Sequence, residues 1–250
     1  MAKFKGLFPV VGTIGGVNFY YLNGELVARK AGGGFNGKAI KSKKSMQRVR
    51  ENGHEFGQSS RVNKAFRMAL RPFYKGYRFP FFHSRLMSLF TRLKDLDAVN
   101  PRGKRVVGEG VTDVNGLALL KTFIYTPDCD LARVLPFNYD VAAISYALTI
   151  SGFDIKQVGF ISGATHVELT YGVLDFDFTG LNSELYLATP VMLSKGFTGH
   201  SVVLSPFVTP TITGTRLSVM GVRFYQEVDG VMYVLNAKEG VGISVLYVES

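Results

Sequence analysis

Tryptophan is absent from this 250-residue chain, cysteine occurs once and histidine only four times. The lone Cys129 excludes an intramolecular disulfide. His54, His83, His166 and His200 are scattered, with no H-x-x-x-H or H-E-x-x-H pair on which to build a zinc site. No stretch approaches the roughly 18 consecutive apolar residues that a membrane-spanning helix needs. The apolar run before Gly12 is too short for a signal-peptide core. These absences predict no membrane insertion and no cofactor, and a product made and kept in the cytoplasm unless a dedicated route exports it. The missing tryptophan also removes the commonest sugar-stacking side chain, leaving only Tyr and Phe for carbohydrate capture.

Acidic residues are scarce too, but only in the first part of the chain. Residues 1–110 hold 22 Lys and Arg against 6 Asp and Glu, a net of +16, whereas 111–250 hold 7 against 13, a net of −6; together they give the overall +10. Net charge governs association and solubility more than fold, so this division implies two surfaces with different partners. With 46% hydrophobic and 19% charged residues the chain belongs among folded globular proteins, large enough to bury a core without staples.

What is present is organised in three parts: 1–44, 45–105 and 106–250. In the first, Val17 to Leu22 and Glu25 to Lys30 flank Asn23-Gly24, a pair suited to a two-residue turn because both positions need positive φ. That register puts Val17, Phe19, Tyr21, Leu26 and Ala28 on one face, ready for a core, and Asn18, Tyr20, Glu25, Val27 and Arg29 on the other. A glycine-rich link, Ala31 to Gly37, and a basic run, Lys38 to Lys44, follow.

In the second part Ser45 suits an N-cap, and the spacing predicts a helix from about Met46 to Arg71, interrupted at Asn52-Gly53. Phe56, Ser59, Val62, Phe66, Ala69, Leu70 and Phe73 share one side of it, with Arg61, Lys64, Arg67 and Arg71 opposite. After an aromatic connector from Tyr74 to Phe82, a second helix is predicted from about Ser84 to Val99, stopped by Asn100-Pro101. The third part reads as strands at about 116–125, 142–151, 157–162, 166–173, 184–188, 200–205, 216–227, 231–236 and 241–248, with a second hairpin at Asp229-Gly230. The expected fold is therefore α+β, mainly β: an N-terminal β-hairpin, a basic helical hairpin and a C-terminal antiparallel β-sandwich of immunoglobulin-like character.

Catalytic motifs fail on their details. Gly32 to Lys38 matches the spacing of a phosphate-binding loop, but Ala39 stands where Ser or Thr must hold magnesium, and the loop follows a hairpin rather than a buried parallel strand. Asp128-Cys129-Asp130 and Asp175-Phe176-Asp177 lack the glycine and distal glutamate of a calcium loop. Gly159-Phe160-Ile161-Ser162-Gly163 puts two residues before its serine, where a nucleophile elbow has one.

The informative residues are the cations Lys38, Lys41, Lys43, Lys44, Arg48, Arg50, Arg61, Lys64, Arg67, Arg71, Arg102, Lys104 and Arg105. They are suited to neutralising phosphates, with Phe35, Tyr74, Tyr77 and Phe79 near enough in sequence to stack on bases. Equally, they are suited to docking on the acidic half of another copy, since contacts between unlike patches build rings or filaments.

At Gly12-Thr13-Ile14-Gly15-Gly16-Val17-Asn18-Phe19-Tyr20 and again at Gln47 to Gly57, which includes Arg50-Glu51-Asn52-Gly53-His54-Glu55-Phe56-Gly57, the chain resembles a family of uncharacterised proteins from Bacteroidota genomes. The similarity extends to the last hairpin, Phe224 to Gly230. It implies a source for the chain but no activity, and carries over no catalytic residues. The expectation from the residues is a non-enzymatic structural or scaffolding protein that self-associates, the alternative being a protein that grips nucleic acid, or another polyanion, without sequence preference.

Overall fold

A computed structural model describes residues 2–3, 10–32 and 36–249. Residues 4–9 of the apolar start, and Gly33, Gly34 and Phe35 of the glycine link, lie outside the described residues. The chain divides into two units, 1–50 and 51–250. Helix and strand contribute in equal measure and every sheet is antiparallel, so the protein is α+β.

The first unit is a four-stranded sheet of β1 (Ala2–Lys3), β2 (Gly12–Ile14), β3 (Val17–Leu22) and β4 (Glu25–Lys30), in the order β1-β4-β3-β2. Asn23 and Gly24 adopt φ of 52° and 83°, as the two-residue turn requires, and the register Leu22–Glu25, Phe19–Ala28 is the one their sequence predicts. The basic run is partly a short helix, α1 (Gly37–Ser42), capped by the Asn36 side chain, which accepts from the Lys38 backbone N–H at 2.8 Å. Ser45 is not an N-cap: it lies inside a 3₁₀ turn, Lys44–Met46, and α2 (Gln47–Ala69) follows directly.

The second unit takes most of α2, then a 3₁₀ turn (Arg71–Tyr74), α3 (Phe82–Asp95), α4 (Val107–Thr112), α5 (Val114–Thr122) and α6 (Leu131–Val134). Its strands are β5 (Tyr139–Val141), β6 (Leu148–Ser151), β7 (His166–Phe176), β8 (Ser183–Leu187), β9 (Val191–Ser194), β10 (Ser201–Leu204), β11 (Thr215–Val228), β12 (Val231–Val234) and β13 (Val241–Glu249). Long β7 and β11 pair at the centre of a six-stranded sheet; β8 and β9 pair with the outer edge of β7, and β12 and β13 with that of β11. A separate sheet runs β10-β6-β5.

The alternation of side chains along the central strands feeds two cores. Leu174, Phe176, Leu217, Val219, Ile243 and Val245 pack with the helical residues Val62, Phe66, Leu86, Phe90, Leu93 and Leu120. Phe66 sits edge-on to Phe176 and to Phe90, with centroids 5.3 Å and 5.4 Å apart. In the other core Val167, Leu169, Tyr171, Met220, Val222 and Phe224 meet Leu148, Ile150, Val202 and Leu204 of the small sheet. One side of the central sheet thus packs with the small sheet, while helices cover the other.

Several expectations are corrected here. Residues 116–125 are mostly α5, with Asp113 capping it by accepting from the Asn115 N–H at 2.7 Å. Leu117-Ala118-Leu119-Leu120-Lys121 are strong helix formers, and a short apolar run does not by itself separate helix from strand. The run 157–162 follows a 3₁₀ turn, Ile155–Gln157, and is not a strand; 142–151 is the turn and second strand of the β5–β6 hairpin. A boundary at 105/106 would cut a single core, because α2 and α3 share it with β7, β11 and β13. No break occurs at Asn52-Gly53, and Phe56 is exposed while Glu55 takes the buried position.

Candidate functional site

The structure separates the candidate cations by what they are doing. Lys38 and Lys41 lie on α1, with Lys43 and Lys44 immediately after it, and all four are exposed. Arg48 and Arg50 open α2. Arg50 donates to the Ile40 and Lys43 carbonyls at 2.5 and 3.0 Å, so it ties α1 to the helix start. Further along α2, Arg61 and Lys64 are exposed, as is Arg71 just past its end; Arg67 is half-buried and donates from Nε to Asn63 Oδ1 at 2.9 Å. Arg61, Lys64, Arg67 and Arg71 have no ion-pair partner among the described residues, so this row does present free positive charge to solvent.

Of the last three cations, two are already engaged within the chain. In the loop joining α3 to α4, Lys104 is exposed, but Arg105 grips Glu55 through Nε and Nη2 at 2.9 Å each, and Arg102 faces Glu51 and Asn52 of α2. Glu55, only 2% exposed, also accepts from Lys94 Nζ at 2.8 Å and from the Gly103 N–H at 2.7 Å. Asp95 closes the cluster by pairing with Lys94 and Arg105 at 2.7 and 3.0 Å. The Arg105 guanidinium, aided by Lys94 and the Gly103 amide and opposed by burial, holds the Glu55 carboxyl far below its ordinary range. Glu51, Asn52, His54 and Glu55 therefore latch the loop, although Asn52 and His54 stay exposed: His54 Nδ1 lies 2.8 Å from the Gly103 carbonyl oxygen. Partners about fifty positions away leave no trace in local spacing.

Apolar residues supply surfaces that the charges alone do not reveal. In the first unit the face predicted to face a core, Val17, Phe19, Tyr21, Leu26 and Ala28, also carries Ile14; Ile14 is 59% and Tyr21 54% exposed, and none of the six is buried. Val27, on the opposite face, is the one fully buried apolar side chain among the described residues of that unit. In the second unit β11 outruns its neighbour: Tyr225 pairs with His166, the first residue of β7, and beyond it β11 pairs with β12 alone. This two-stranded ribbon exposes Val228, Val231, Met232, Tyr233 and Val234 around an Asp229-Gly230 turn. An isolated ribbon of this kind is marginal in water.

Cys129 is buried, which pushes its thiol up to about 12, with Asp130 and Glu239 adding to the shift, so it is protonated and unreactive at neutral pH. Among the described residues no group of three or more His, Cys, Asp or Glu is placed to hold a metal, and no helix is long and apolar enough to cross a membrane. No family model, curated protein or solved structure matches this chain.

Proposed function

We propose that this is a non-enzymatic structural protein that self-associates, with its basic N-terminal unit docking on the acidic C-terminal part of another copy. The observation that carries this reading is the half-covered apolar face of the N-terminal sheet. Exposed apolar area is unfavourable at about 25 cal/mol per Å², and Ile14 and Tyr21 stand exposed on this face beside four half-buried apolar side chains. The charge division supplies the choice of occupant. The face belongs to the +16 part, flanked in sequence by the exposed lysines of α1, and the complementary −6 part is carried by every other copy. The bare ribbon of β11 and β12 offers a second apolar element for the same contact.

Light scattering or sedimentation over a concentration series checks this. The mass is expected to rise above the 27.5 kDa of one chain as concentration increases, and to fall back as salt screens the charges. Replacing exposed Ile14 and Tyr21 by lysine is expected to hold the protein at the monomer mass without loss of the fold. A strict monomer at low salt and high concentration overturns the proposal.

A further inference from the structure

Between α2 and α3 the chain builds a cluster of aromatic rings that neither core absorbs completely. Tyr74 and Phe79 have centroids 5.3 Å apart, Tyr77 and Phe79 4.9 Å, and Phe79 and Phe82 5.3 Å. The cluster is anchored from outside: Tyr74 Oη donates to the Arg67 carbonyl at 2.8 Å, and Arg223 Nη2 donates to the Lys75 carbonyl at 2.6 Å. Next to these rings stands Phe81, 79% exposed and held at φ 60°, a left-handed conformation that costs a bulky residue about 1 kcal/mol or more. An apolar ring displayed to water in a strained backbone offsets neither cost within the fold.

Phe81 borders two hollows: one holds Arg85, Asp128 and Lys238, and the other is cationic. A cavity of about 340 Å³ is lined by Tyr74, Phe81 and Phe82 together with Arg67, Arg78 and His83, and no carboxylate lines it. Arg67 uses Nε for Asn63, leaving both terminal nitrogens of its guanidinium without a partner, and Arg78 is exposed. The first N–H groups of the 14-residue α3 open onto the same place without a side-chain cap, adding partial positive charge. Arg61, Lys64, Arg67 and Arg71 approach it along α2 at helical spacing, over about 15 Å at 1.5 Å per residue.

We infer that this connector is a base-stacking site for single-stranded nucleic acid, with Phe81 and its neighbouring rings receiving a base and the α2 cations following the backbone phosphates. A single strand fits better than a duplex because only unpaired bases expose a face for a ring to cover. A peptide anion would use the cations but leave Phe81 without a partner of its own kind. This site lies wholly in the second unit, and it is independent of the N-terminal face proposed for self-association.

Fluorescence anisotropy with short labelled oligothymidine tests it. Glycine adopts φ near 60° without strain, so Phe81→Gly is expected to melt no lower than the wild type while binding about tenfold more weakly, the loss of one stacked base. Its salt dependence stays unchanged. Arg61→Gln and Lys64→Gln are expected instead to flatten the plot of log affinity against log salt by about 0.7 for each phosphate contact removed. Undiminished binding by Phe81→Gly overturns the inference, as does affinity for duplex DNA or heparin equal to that for the single strand, or no binding at low salt. Phe81→Ala provides the same comparison if the glycine variant misfolds.

Discussion

Glu55→Ala is expected to lower the free energy of unfolding by about 3–5 kcal/mol, the range for removing one partner from a buried ion cluster and stranding the others. Lys94 and Arg105 would keep only the half-exposed carboxylate of Asp95, and the Gly103 N–H would lose its acceptor. The pH dependence carries the sign of a depressed acid. Unfolded, Glu55 takes up a proton near its ordinary 4.5; folded, it resists until the pH is far lower. The unfolded chain therefore binds more protons in that interval, so the contribution is complete above about pH 4.5 and drains away on acidification. Asp97 acts in the same direction, since hydrogen bonds from the Asn100, Val106 and Val99 amides and the Asn100 side chain outweigh the burial that opposes them. Urea midpoints at pH 7 and pH 3 are expected to differ clearly in the wild type and by less in Glu55→Gln. An equal acid loss in both would show that the cluster is not what acid dissolves.

Gly110→Ala is expected to be comparably damaging, at least about 3 kcal/mol, the upper end for overpacking. A methyl group there would overlap the Leu93 carbonyl oxygen, a backbone atom of α3 in the middle of the helical core. Gly116 of α5 meets the Gly110 carbonyl in the same way, so α3, α4 and α5 approach as closely as backbones allow. The control is Gly53→Ala. That glycine is helical with open space around it, and the substitution is expected to stabilise by about 0.5–1 kcal/mol. Thermal melts of the two variants should therefore move in opposite directions.

Legibility in the sequence followed the range of the interactions. Both hairpins were readable because Asn23-Gly24 and Asp229-Gly230 dictate φ at two adjacent positions, a wholly local matter. The stripe from Val62 to Phe73 was readable because the helical period repeats across it. α5 was not, since its apolar run suits either element until Gly116 is placed against Gly110. Among the candidate cations the row on α2 could be listed, but nothing near Arg102 or Arg105 signals that Glu51 and Glu55, half a hundred residues earlier, lie against them. The composition of the N-terminal sheet face was also plain in the sequence. That Ile14 and Tyr21 stand exposed on it was not, because alternation assigns a face and not its burial.

The placement of β13 has a consequence for how this molecule is made. Ile243 and Val245 close the core that Phe66 and Phe90 begin, and the Ile243 N–H donates to Thr126 Oγ1 at 2.9 Å across 117 positions. During synthesis, which proceeds at about 5–20 residues per second, the greasy sides of α2 and α3 leave the ribosome several seconds before the strands that will cover them. A nascent chain of this design therefore displays that apolar surface until β13 emerges.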